Sequence, residues 1–242
     1  MNVHIFSSNE ELNEAAAGLL AATLHTKANA VLGLATGSTP VGVYEKLVEL
    51  YKKGSVSFKS AKTFNLDEYV GLPRDHSESY YTFMNTRLFQ HIDLPAENAH
   101  IPNGNAEIVQ EECVRYDQMI EQAGGIDIQI LGIGHNGHIG FNEPGPTLQS
   151  ATHLVDLHEE TRKANARFFD SIDDVPVQAI TVGLGTIMKS KTILLLAKGS
   201  DKAEIMHRAL RGPIDPQCPA SFLQLHPQLI VMTDSEAGRL LK

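Results

Sequence analysis

Apolar positions along the chain fall into short blocks separated by longer stretches of helical spacing. The clearest block spans residues 126–133: Ile126, Ile128 and Ile130 alternate with polar neighbours, and Leu131 and Ile133 extend the run. Alternation passing into a wholly apolar run marks a strand buried in the middle of a sheet. Similar blocks predict strands at 3–6, 30–34, 61–66, 177–182, 192–197 and 228–233, with a short one at 100–102. Between them the spacing becomes helical. A first helix runs to about residue 25 behind Ser8 and Glu11, a capping-box pair. Others are expected at 40–53, where Val43, Leu47 and Leu50 recur and Gly54 stops the run, and at 77–90 and 106–122. A helix is also expected at the end of 156–170 and over 199–210, followed by a loop carrying Pro213, Pro216 and Pro219. Strands alternating with helices from end to end predict a mostly parallel α/β sheet covered on both faces. No repeat, low-complexity tract or long linker divides the chain, so residues 1–242 are expected to form one domain.

The polar positions matter most where strands end. Gly132, Gly134, Gly137 and Gly140 crowd the stretch after the central strand, and His135, Asn136, His138 and Glu143 lie among or just after them. A buried strand opening into such a loop is where open α/β sheets place ligands; a plain strand-to-helix turn is the alternative. The loop after the second strand, Thr36-Gly37-Ser38-Thr39-Pro40, suits an N-cap at Thr39 with Pro40 as first helical residue. Its glycine and the helix dipole make it a candidate phosphate cradle, though it is neither GxGxxG nor a Walker loop. Lys202 is expected in the first turn of a helix, where a cation opposes the dipole unless an anion lies between them. Among Arg162, Lys163 and Arg167, spacing does not say which faces a ligand. Asp67 is expected to close the third strand, where burial at the carboxyl edge of a sheet can make a carboxylate a useful base.

Composition narrows the chemistry. A net charge of −9 with no Lys/Arg cluster argues against nucleic acid as partner and favours a small molecule. No apolar run reaches transmembrane length, and the N-terminus has no signal-peptide pattern. With two cysteines and no disulfide framework, a cytoplasmic protein off the membrane is expected. His135 and His138 invite a metal reading, but they lie among glycines with no third ligand at recognisable spacing, so no metal is expected. A neutral histidine oriented by a carboxylate suits His138 and Glu143 better. A serine hydrolase is not expected, since no Gly-x-Ser-x-Gly elbow is present.

Residues 34–40, 64–72, 134–144 and 161–169, with 175–183 and 223–227 in support, resemble the glucosamine-6-phosphate deaminase family from about residue 3 to the end. The resemblance implies a modified doubly wound, Rossmann-like sheet. It also implies conversion of glucosamine 6-phosphate and water to fructose 6-phosphate and ammonia, without cofactor. Asp67 would move the proton from C2 to C1, and His138, held by Glu143, would assist ring opening. Gly37, Ser38, Thr39, Arg167 and Lys202 would hold the phosphate, with Gly137 beside the substrate and 156–179 as a lid. Some members carry aspartate where this chain has Asn136, an amide that cannot supply charge, so the role of Asn136 stays open. Larger members have a second, activating site with basic residues on the strand after Phe-Asn-Glu-Pro and in a C-terminal extension. Here the corresponding positions hold His153 and Val155 and the chain ends at Lys242, so a non-allosteric monomer is expected. A 6-phosphogluconolactonase-like hydrolase, which has no evident need for a carbon base at Asp67, and a non-catalytic sugar-phosphate sensor are the competing readings.

Overall fold

The computed structural model describes residues 1–166, 169 and 171–241. The chain runs through β1 (Asn2–Phe6), α1 (Asn9–Thr26), β2 (Val31–Leu34), α2 (Val41–Lys52), β3 (Lys62–Asn65), β4 (Asp67–Tyr69), α3 (Tyr80–Arg87) and β5 (Ala99–His100). It continues through α4 (Val109–Gln122), β6 (Ile128–Leu131), β7 (His153–Asp156), α5 (Glu159–Asn165) and β8 (Gln178–Thr181). The last elements are α6 (Leu184–Met188), β9 (Thr192–Ala197), α7 (Ala203–Arg211) and β10 (Leu229–Asp234).

Seven strands form a parallel sheet in the order β1-β10-β9-β6-β2-β3-β5. β2 and β6 are buried along their whole length, as strands covered on both faces must be. From β2 the chain builds outward through β3 and β5, then returns to β6 on the other side of β2 and builds outward again. That reversal opens a crevice at the carboxyl ends of β2 and β6. One hydrophobic cluster runs through both layers of helices and the sheet, from Leu12 and Leu20 to Leu229 and Val231.

Three local readings differ from the sequence pattern. β3 stops at Asn65, and Asp67 does not close it. Asp67 instead opens β4 in a second, antiparallel sheet of order β4-β8-β7, opposite Thr181. The chain passes between sheets through a bend at Leu66, whose carbonyl accepts from Val182 N–H at 2.7 Å. The α2 cap is Pro40 rather than Thr39, in helical conformation and without a side-chain cap. The stretch expected as a proline-rich loop contains a 3₁₀ helix, Pro219–Leu225. Ser8 does cap α1, accepting from Glu11 N–H, but the Glu11 carboxylate reaches past it to Ser7 N–H and Oγ.

Candidate active site

The crevice is a cleft of about 240 Å³. On one wall lies the loop 36–39, where Gly37 adopts φ +88° and turns the chain toward the start of α2. No side chain caps α2, so its first N–H groups are left to face an anion. The loop is braced from behind by half-buried Lys198, whose ammonium donates to Thr39 O and Asn13 Oδ1, both at 2.7 Å. The neighbouring Gly199 N–H donates to Asp234 Oδ2 at 2.8 Å. These bonds fix the loop that carries Lys202 into the same cleft. Lys202 ends a 3₁₀ turn, Ser200–Lys202, and serves as N-cap of α7. The cation expected to oppose a helix dipole therefore lines the same cleft as the cradle. Arg167 lies outside the described residues.

Asp67 sits at the floor, 6 % exposed. Burial pushes its carboxyl up to about 8, with a smaller contribution from the adjacent Glu68 charge. Glu68 points elsewhere and accepts three backbone N–H groups, from Tyr69 at 2.9 Å and from Tyr80 and Tyr81 at 3.0 Å. It thereby pins the start of α3 to β4 and holds Tyr80, another residue of the cleft wall, beside Asp67.

His138 reaches the cleft from the glycine-rich loop. Its ring packs so tightly on Gly134 that a β-carbon there would lie 2.2 Å from Cε1. His138 Nδ1 lies 3.3 Å from Glu143 Oε2, within range of charge attraction but off the line of a good hydrogen bond. Asn136 joins the two: Oδ1 accepts from His138 N–H at 3.1 Å, and Nδ2 donates to Glu143 Oε2 at 2.8 Å. Thr161 of α5 donates to Oε1 at 2.5 Å. Burial alone would raise the Glu143 carboxyl; the His138 imidazole and the Thr161 and Asn136 donors outweigh it and hold it down to about 2. A fixed anion therefore stands behind an imidazole that is partly open to the cleft.

The structure thus brings Gly37, Ser38, Thr39, Asp67, His138 and Lys202 to one cleft, with Glu143 and Asn136 behind His138. Gly137 has φ +93° and backs onto Cys218, and its carbonyl accepts from Ala220 N–H. Sequence reasoning passed over Glu68, Tyr80, Thr161 and Lys198. Glu68 directly follows Asp67, and Lys198 directly follows a buried strand in the block that also holds Lys202; their positions were the available signal. Nothing local marks Thr161 as a partner of Glu143. Among the described residues no group of three or more His, Cys, Asp or Glu is placed to hold a metal ion, and no helix is long and apolar enough to cross a membrane.

Residues 7–231 match the family model for glucosamine-6-phosphate isomerases/6-phosphogluconolactonase. A glucosamine-6-phosphate deaminase of Bacillus pumilus is 52% identical over 240 residues, covering 99% of this chain and all of the relative. One from Clostridium perfringens is 51% identical over 242 residues and the whole of both chains. A solved structure described as a monomeric glucosamine-6-phosphate deaminase superimposes with a TM-score of 0.96 at 50% identity, over 99% of this chain and 100% of that one.

Proposed function

The chain belongs to the family of glucosamine-6-phosphate isomerases and 6-phosphogluconolactonases, and from that premise we infer that it deaminates glucosamine 6-phosphate. The products are fructose 6-phosphate and ammonia. The observation that carries the roles below is a buried carboxyl, held near 8, in the same cleft as an imidazole backed by a fixed anion.

The sugar phosphate is held at C6 by the N–H groups of the 36–39 loop and α2, by Ser38 and Thr39, and by Lys202, with Arg167 in support. His138 moves a proton at the ring oxygen while Glu143 and Asn136 hold its place beside the cleft, so the pyranose opens to the aldehyde. Asp67 takes the proton from C2, and the electron pair forms a C1–C2 double bond as the C1–O1 π bond breaks and O1 takes up a proton, giving the C1 hydroxyl of the product. The same carboxyl returns the proton to C1, leaving an imine at C2. Water adds to that carbon, the C–N bond breaks and ammonia leaves. A carboxylate of raised pKa is a stronger base than an exposed aspartate, and the substrate's own ammonium beside it favours the ionised form. Asn136 acts as a neutral spacer that sets the distance between His138 and Glu143.

Residues 1–242 are read as one catalytic unit, with 156–179 as its lid. Within it α5 reaches Glu143 through Thr161, and Arg162 donates to Ile172 O and Val175 O. The protein is proposed to act in the cytoplasm as a monomer, the state named for its 50%-identical solved relative. A side-by-side assay on glucosamine 6-phosphate and 6-phosphogluconolactone tests the assignment. Faster turnover of the aminosugar supports it; hydrolysis of the lactone alone replaces it with the hydrolase reading, and binding without turnover of either replaces it with the sensor.

A further inference from the structure

Glu143 is held from two directions. Asn136 and His138 approach Oε2 from the glycine-rich loop, while among the described residues Oε1 is met only by Thr161, in the first turn of α5. Glu159, Arg162 and Lys163 of the same helix carry exposed or half-exposed side chains, yet Thr161 is 7 % exposed and its hydroxyl points inward. The N-cap of the helix, His158, also stands with Nδ1 3.7 Å from Oε2. On the far side α5 is tied down through Arg162 to the carbonyls of Ile172 and Val175, at 2.9 and 3.1 Å. A buried carboxylate with one oxygen unmet can rotate about its last torsion, which is broad and has no staggered minima. Rotation would carry Oε2 away from His138 and Asn136 together.

We propose that Thr161 is a positioning residue: its hydroxyl fixes the Glu143 carboxylate, so that His138 is correctly backed only while α5 is docked. The bond works in both directions. It orients the pair when the helix is seated, and it holds the helix when the carboxylate is in place. The proposal rests on the roles given above to His138 and Glu143, and adds that α5 completes the catalytic pair as well as covering the cleft.

Thr161→Val removes the donor and keeps the volume; Thr161→Ser keeps the donor. In Thr161→Val, kcat for glucosamine 6-phosphate should fall about tenfold or more, on the scale of a lost hydrogen bond to a charged group. Binding of the open-chain probe 2-amino-2-deoxyglucitol 6-phosphate, which needs no ring opening, should stay within about threefold. Thr161→Ser should recover most of kcat, which a purely steric role for the methyl group would not allow. Hydrogen exchange supplies a readout independent of turnover: α5 amides should exchange roughly tenfold faster in Thr161→Val and at the wild-type rate in Thr161→Ser. Full kcat in Thr161→Val, equal losses in both variants, or α5 exchange unchanged in Thr161→Val would overturn the proposal. If wild type released no ammonia at all, the functional reading would fail, and the exchange comparison would still decide whether Thr161 holds the helix.

Discussion

Replacing Asp67 by asparagine should raise the stability of the fold, and by an amount that depends on pH. The unfolded carboxyl ionises near 3.8, whereas burial keeps the folded one protonated up to about 8. Between those values the native state binds one more proton than the unfolded state, so stability falls as pH rises and levels off above 8. At about 1.4 kcal/mol per decade of pH, the burden is on the order of 2 kcal/mol at pH 5 and on the order of 5–6 kcal/mol at pH 9. Asparagine does not titrate, so its advantage over wild type should widen by about 4 kcal/mol across that interval. Any fixed cost of the amide drops out of the difference. For a chain of this length that amounts to a relative Tm gain of roughly 8–16 °C between pH 5 and pH 9. Urea melts of both proteins at the two pH values measure it directly. A stability difference that does not change with pH would mean that Asp67 is ionised in the fold at neutral pH, and the argument for a strengthened base would collapse.

Three further outcomes follow from the site. The kcat/KM profile, which reports the free enzyme, should rise with pH through a limb near 8 as Asp67 ionises; a limb near 4 would show an unperturbed carboxyl. Lys202→Ala should raise KM for glucosamine 6-phosphate at a cost of about 2–5 kcal/mol, while glucosamine itself stays a poor substrate for both proteins; equal losses on the two sugars would remove Lys202 from the phosphate site. Velocity curves should be hyperbolic and indifferent to N-acetylglucosamine 6-phosphate. His153, which bonds Ala151 O, and Val155 stand on β7 where basic residues would be needed; sigmoidal curves straightened by that compound would refute this.

What the sequence disclosed depends on how local each contact is. The strand at 192–197 was readable to the residue because it is buried on both faces and its pattern needs no partner to be recognised. β7 carries no such block, since its residues are half-buried or exposed, and only the family resemblance pointed to it. Asp67 departs from the sequence expectation because apolar periodicity continues through Leu66, whereas the chain bends at that residue and enters the second sheet. His138, Glu143 and Asn136 were legible as a group because they lie within one short loop. Their bond to Thr161 spans 18 residues and exists only once α5 folds back, so no spacing rule reports it. The amide at Asn136, whose role the sequence leaves open, bridges the His138 backbone and the Glu143 carboxylate without adding charge.

The most direct test is the stoichiometry of products from glucosamine 6-phosphate with wild type and Asp67→Asn, ammonia and fructose 6-phosphate being measured in the same sample. The two products should appear from wild type in a one-to-one ratio, and the variant should bind the sugar but turn it over about 10²–10⁴-fold more slowly, the usual cost of losing a positioned base. Wild type that releases no ammonia, or a variant that releases it within about threefold of the wild-type rate, would contradict the account.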